Sequence, residues 1–79
     1  RCKLIKITYS LGRRLYVFLL GSSAHENRGR ITLNVSKLGW QGIGRTRART
    51  AKTGRLPGTE APDCTIDGFG LKIWEITRK

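Results

Sequence analysis

Apolar and polar positions alternate with a period of two over residues 4–9, where Ile5, Ile7 and Tyr9 stand against Lys6 and Thr8. That is the spacing of a strand with one apolar and one polar face. Residues 15–20 form an unbroken apolar run of leucine, aromatic and β-branched side chains, which predicts a buried strand. Leucine's helix propensity leaves a short helix over residues 11–20 as the competing reading. Residues 31–36 alternate again, with Ile31, Leu33 and Val35 facing one way and Thr32, Asn34 and Ser36 the other. Residues 71–77 carry Leu71 and Ile73, then Trp74 and Ile76. The phase slip between Ile73 and Trp74 points to a bulge or to burial on both faces.

The connectors carry turn chemistry. Gly12, within residues 10–13, is placed to close a hairpin, and residues 22–29 end in Asn27-Arg28-Gly29, a loop between the second and third strands. Consecutive strands with short connectors pair as an antiparallel meander. The expected fold is therefore mainly β, a small antiparallel meander or partly open barrel of about four strands. Residues 39–63 differ. They hold five glycines and two prolines with no apolar periodicity, and read as a long basic Gly/Arg/Thr loop or arm. Unstructured connections of that length are usually functional or disordered. With 79 residues, residues 1–79 make one domain with a thin core. A deep, water-excluding active site is hard to build at this size.

Charge changes the picture most. The net charge is +11, with 16 Lys and Arg against 5 Asp and Glu. Residues 1–55 carry 13 basic residues and a single acid, Glu26, whereas residues 56–79 carry three basic residues against four acids. Self-repulsion at this charge disfavours a compact chain, and such asymmetry implies a face or arm that meets an acidic partner. Arg outnumbers Lys. Guanidinium matches phosphate bidentately and stacks on bases, where ammonium is a point charge. Nucleic acid is thereby favoured over a membrane surface, and the longest apolar run falls far short of the roughly 20 residues of a bilayer span.

The densest basic stretch is residues 44–55, Gly-Arg-Thr-Arg-Ala-Arg-Thr-Ala-Lys-Thr-Gly-Arg. If extended, it sets Arg45, Arg47 and Arg49 on one side at intervals of about 6.6 Å, close to the phosphate step along a nucleic-acid strand. Each neutralised phosphate releases counterions and adds affinity without reading sequence. Thr46, Thr50 and Thr53 add hydroxyls of the kind that contact phosphates. Lys52 and Arg55 extend the arm, and Arg13, Arg14, Arg28 and Arg30 join the candidate nucleic-acid-binding set. Trp40, between glycines just before the arm, is read either as a base-stacking platform or as a core residue.

Gly68-Phe69-Gly70-Leu71-Lys72-Ile73 resembles part of one signature strand of RNA-recognition motifs, and the Gly-Phe-Gly strand of cold-shock domains. Leu15-Tyr16-Val17 resembles the start of the other signature strand. In those families strand aromatics stack on bases. Here Asp67 stands where the motif has a basic residue, Leu71 replaces an aromatic, and the two stretches lie too far apart. Too little chain follows Ile73 for the helix and strand that an RNA-recognition fold still needs, and a cold-shock domain carries this strand near its beginning. The likeness covers a small part of the chain and assigns no family. Phe69 between its glycines reads as a bulge.

Catalytic signals are poor. His25 beside Glu26, with Arg28 and Arg30 after it, is the only centre for a small ribonuclease, and a polar turn explains it better. Glu60, Asp63 and Asp67 lack calcium-loop spacing and read as ordinary loop acids, with docking back on the basic face to restrain the arm as the alternative. One histidine and two cysteines make no four-ligand zinc site, and no cofactor is implied. Joined, Cys2 and Cys64 would stabilise the fold by about 4 kcal/mol in the chain-entropy model; free thiols in a reducing compartment are the favoured reading. The function expected is an RNA-binding structural protein of a ribosome or other ribonucleoprotein, cytoplasmic or organellar, with no enzymatic role. The alternatives are a DNA-binding β-module and a secreted cationic disulfide-linked polypeptide such as a toxin subunit.

Overall fold

The computed structural model describes residues 4–50, 56 and 58–79. Among these it contains six strands, β1 (Leu4–Leu11), β2 (Arg14–Gly21), β3 (Glu26–Thr32), β4 (Ile43–Ala48), β5 (Glu60–Asp67) and β6 (Leu71–Arg78), and one 3-10 turn, Val35–Leu38. All pairings are antiparallel. One sheet has four strands in the order β1-β2-β6-β4, the other pairs β3 with β5, and they do not close into a barrel.

Strands β1 and β2 form the hairpin that Gly12 marks. The two-residue loop Gly12-Arg13 closes Leu11 against Arg14, and Gly12 has φ 61, a left-handed value that glycine takes without strain. The apolar run of β2 is a central strand. Leu15, Val17 and Leu19 are buried in the core, while Tyr16, Phe18 and Leu20 lie half-buried on the opposite face. A short helix over residues 11–20 is thereby excluded. The register of β2 on β6 runs unbroken from Arg14↔Thr77 to Leu20↔Leu71. The phase slip at Ile73 and Trp74 is therefore not a bulge. Trp74 and Ile76 face the core, and Leu71 and Ile73 face outward.

Strand β3 starts and ends earlier than the alternation of residues 31–36 predicts. Ile31, Leu33 and Val35 are all buried as that pattern requires, but the chain leaves the strand after Thr32. Ser36 Oγ donates to Asn34 Oδ1 at 2.6 Å, a local side-chain bond of the kind that competes with a sheet ladder. At its other end β3 takes in residues expected to be loop, because its inward-facing residue there is Asn27, fully buried, and polar pattern hid it.

The basic arm of residues 39–63 holds two strands where none was expected. Residues 43–48 pair with the free edge of β6 as β4. A sheet edge offers unpaired backbone donors and acceptors to any extended segment, whatever its side chains. An extra residue on β4 makes a bulge between Ile43 and Thr46. β5 also carries a bulge, opposite Gly29 to Ile31, and Pro62 sits there, where a missing N–H is tolerated. Trp40 and Leu56 anchor the segment at either end. They are 6% and 2% exposed and join the core between the two sheets.

Candidate nucleic-acid interface

The two sheets point opposite outer faces to solvent, and they differ in charge. On the β3–β5 face each arginine has a carboxylate. Arg28 lies 3.3 Å from Asp63 and 3.7 Å from Glu26, and Arg30 lies 3.3 Å from Glu60. Such exposed pairs contribute little stability, but they compensate the charge. The acids expected in a loop lie instead on strand β5, and Asp63 and Glu60 pair with Arg28 and Arg30 of β3. Arg28 and Arg30 are thus set apart from the other candidate site residues.

The four-stranded sheet is different. Cross-strand register puts Tyr9, Tyr16, Glu75 and Arg47 in one row across its outer face. Ile7, Phe18 and Ile73 form the next row, which Arg49 joins through its N–H to the Ile73 carbonyl at 2.8 Å. Glu75 is the one acid on these four strands. Its side chain is only 11% exposed, and it lies 3.3 Å from Arg14 and 3.6 Å from Arg49; the Tyr16 hydroxyl reaches it at 3.5 Å. Among the described residues Arg13, Arg45 and Arg47 have no carboxylate partner, and all three are exposed. The structure therefore gathers Arg14, Arg47 and Arg49 on one face, with Arg45 beside them at the bulged edge and Arg13 at the hairpin tip.

Several expectations are corrected. Trp40 is no stacking platform, because its side chain is buried in the core; its backbone N–H donates to the Val35 carbonyl at 3.2 Å. Thr46 and Thr50 do not offer free hydroxyls. The Thr46 hydroxyl donates to the Leu56 carbonyl at 3.2 Å, and that of Thr50 accepts the Ile73 N–H at 3.4 Å. Phe69 lies in the turn between β5 and β6 rather than at a bulge, 69% exposed, where Gly68 at φ 63 reverses the chain. Lys52, Thr53 and Arg55 lie outside the described residues. Sequence reasoning did not single out Tyr9 and Phe18 as candidates, and met Tyr16 only through the resemblance of Leu15-Tyr16-Val17. Their signal was alternation itself, since aromatics on the non-core face of β1 and β2 follow once Leu15, Val17 and Leu19 are assigned inward.

The remaining chemistry is quiet. His25 is exposed in a turn, its carbonyl accepting the Gly68 N–H at 2.9 Å. Among the described residues no cluster of His, Cys, Asp or Glu is arranged to hold a metal, and no helix is long and apolar enough to cross a membrane. Cys64 is a free, half-buried thiol. Burial pushes it above its ordinary value; Lys72 opposes that and Asp63 adds to it. A raised thiol pKa means little thiolate at neutral pH. In a Cys2→Ser chain, Cys64 should alkylate more slowly at pH 8 than a free cysteine, and unfolding should abolish the difference. Compared with protein-family models, curated proteins and solved structures, the chain matches none.

Proposed function

We propose that this domain binds nucleic acid, RNA in preference to DNA, as a structural component of a ribonucleoprotein. The grip comes from phosphate contacts along β4 by Arg45, Arg47 and Arg49, with Arg13 and Arg14 at the hairpin end. One observation carries the reading. The carboxylates of the β3–β5 face are engaged with Arg28 and Arg30, leaving the β4 edge as a line of guanidinium groups with only Glu75 near it. Past the bulge, extended geometry spaces Arg47 and Arg49 by about 6.8 Å, which suits successive phosphates. Guanidinium groups stack on exposed bases as well as pairing with phosphates, and folded RNA offers unpaired bases in loops and bulges where a duplex does not, which favours RNA.

The test is retention on structured RNA as a function of salt. Replacing Arg45, Arg47 and Arg49 by Ala should flatten the plot of log K against log salt by about two, since each phosphate contact contributes roughly 0.7–0.9 to the slope. Affinity at low salt should fall roughly tenfold or more. Replacing Arg28 and Arg30 by Ala removes charge from the compensated face and should change the slope by less than half as much. An unchanged slope in the triple variant would sink the reading. Competition with duplex DNA separates RNA preference from general polyanion binding.

A further inference from the structure

Resting on that reading, we infer that the open face of the four-stranded sheet receives the unpaired bases of a single-stranded nucleic acid, while the β4 edge holds its phosphates. Among the described residues no element packs over this face. Ile5, Ile7, Tyr9 and Leu11 of β1 are 48 to 59% exposed, whereas Lys6, Thr8 and Ser10 of the same strand point to the other side, into a cleft of about 350 Å³ beside Leu33 and Lys37. Both sides of β1 are exposed along almost its whole length, so four large apolar side chains stand together in solvent on this face. The face spans roughly 14 Å across three strand gaps and about 20 Å along β1. That area, on the order of 300 Å², matches the patches that soluble proteins keep for partners.

Charge and ring placement identify the partner. The Tyr9–Tyr16 pair shares a row with Arg47, and Phe18 shares the next row with Arg49. Each row thus offers an aromatic surface toward β1 and β2 and a guanidinium at β4. Rows on one strand recur about every 6.8 Å, near the step of an extended single strand, so one nucleotide occupies each row. Glu75 lies between rings and edge and repels phosphate from the centre, which leaves the centre to bases. Base–aromatic stacking accepts every base, because each has a π-face. In a duplex those faces are already stacked on each other. A second copy of this chain fits worse, because it carries the same net charge of +11 and two such copies repel.

The experiment measures binding of the full chain to a ten-nucleotide oligoadenylate, to the same sequence in a duplex, and to inorganic polyphosphate of similar charge, which has no bases. The variant Tyr9→Leu/Tyr16→Leu/Phe18→Leu keeps apolar area and removes the rings. Oligoadenylate affinity should fall roughly tenfold or more, since stacking on one aromatic is worth about 1–3 kcal/mol per base. Polyphosphate affinity should not move, and wild-type chain should prefer the single strand to the duplex. An unchanged oligoadenylate affinity, or an equal fall for polyphosphate, overturns the inference. So does a wild-type chain that sediments as a dimer while the leucine variant is a monomer with undiminished oligoadenylate binding. If the triple variant does not fold, Tyr9→Leu alone decides, with an expected loss of roughly three- to tenfold, because Tyr9 is 57% exposed on an edge strand. The two readings separate cleanly. If Arg45, Arg47 and Arg49 to Ala weakens oligoadenylate and polyphosphate alike while the ring variant weakens neither, phosphate gripping stands and base stacking falls. If the arginine variant weakens neither ligand, both fall.

Discussion

Asn27→Ala should lower the free energy of unfolding by about 3–5 kcal/mol, the largest loss expected from any single side-chain truncation here. Asn27 is completely buried on β3 and joins the two places where the chain crosses between sheets. Its Oδ1 accepts the N–H groups of Ser22 and Ser23 at 3.2 and 3.1 Å, and the Ser23 hydroxyl at 3.1 Å. Its Nδ2 donates toward the carbonyls of Gly68, His25, Ile66 and Ser23 at 2.7 to 3.3 Å. Residues 22–25 leave the four-stranded sheet and residues 68–70 return to it, so one amide pins both corners. Alanine removes the donor and the acceptor together and leaves a void too. Each stranded buried polar group costs about 1–3 kcal/mol, and a domain of this length has only roughly 4–12 kcal/mol in all. Asn27→Asp should be worse at neutral pH, because it places a carboxylate against carbonyl oxygens. Burial raises the new carboxyl's pKa in the folded state above its unfolded value of about 3.9. Its added cost is therefore absent below pH about 4 and grows as pH rises through the folded value. Urea unfolding of wild type and both variants at pH 4 and pH 7 measures this. Equal losses for Asn27→Asp at the two pH values would remove the charge argument, and a loss under 1 kcal/mol for Asn27→Ala would remove the clamp.

Strand periodicity made β1, β2 and β6 legible, since Ile5/Ile7/Tyr9, residues 15–20 and Trp74/Ile76 announce themselves whatever their partners. What alternation does not say is which face meets the core. In β1 the apolar side turns out, because its register on β2 matches Ile7 with Phe18 and Thr8 with the fully buried Val17; parity across the pair, and not hydrophobicity within one strand, decides. β4 was hidden for a different reason. Its membership comes from the free edge of β6, a backbone property that no side-chain pattern records. The arginines were legible as chemistry, but their sorting into a face where each has its own carboxylate and a face where several share Glu75 alone depends on β3 pairing with β5, a long-range pairing between segments of unlike composition. Trp40 and Leu56 stand as isolated apolar residues among glycines and arginines, so only the three-dimensional arrangement shows them closing the core. The open face with its three aromatic rings follows from the same parity that misleads the single-strand reading.

Gly21→Ala should destabilise the domain by about 3 kcal/mol or more, although its backbone is one that alanine adopts without strain. The cause is space. A Cβ at Gly21 would overlap the Gly68 carbonyl oxygen and stand 2.5 Å from Asn27 Nδ2. Backbone on one side and a buried amide with all its donors and acceptors engaged on the other leave nothing flexible to yield, and overpacking of this kind costs about 1–3 kcal/mol before any bond is broken. Relief requires Gly68 to move, and Gly68 is held by its own N–H to the His25 carbonyl and by φ 63. The Gly21 N–H to the Gly70 carbonyl at 3.1 Å then lengthens as well. Gly12→Ala is the control, since no atom lies within 4 Å of its Cβ position and only the left-handed φ is strained, at about 1–2 kcal/mol. Gly21 and Asn27 act on one corner, so the double variant should lose clearly less than the sum of the two single losses. Strict additivity in a thermal or urea double-mutant cycle would show that the two residues act separately. On the proposed function, both variants should change RNA affinity only through the folded fraction, because neither residue lies on the open face. A loss of RNA binding at full folding would instead place the corner itself in the interface.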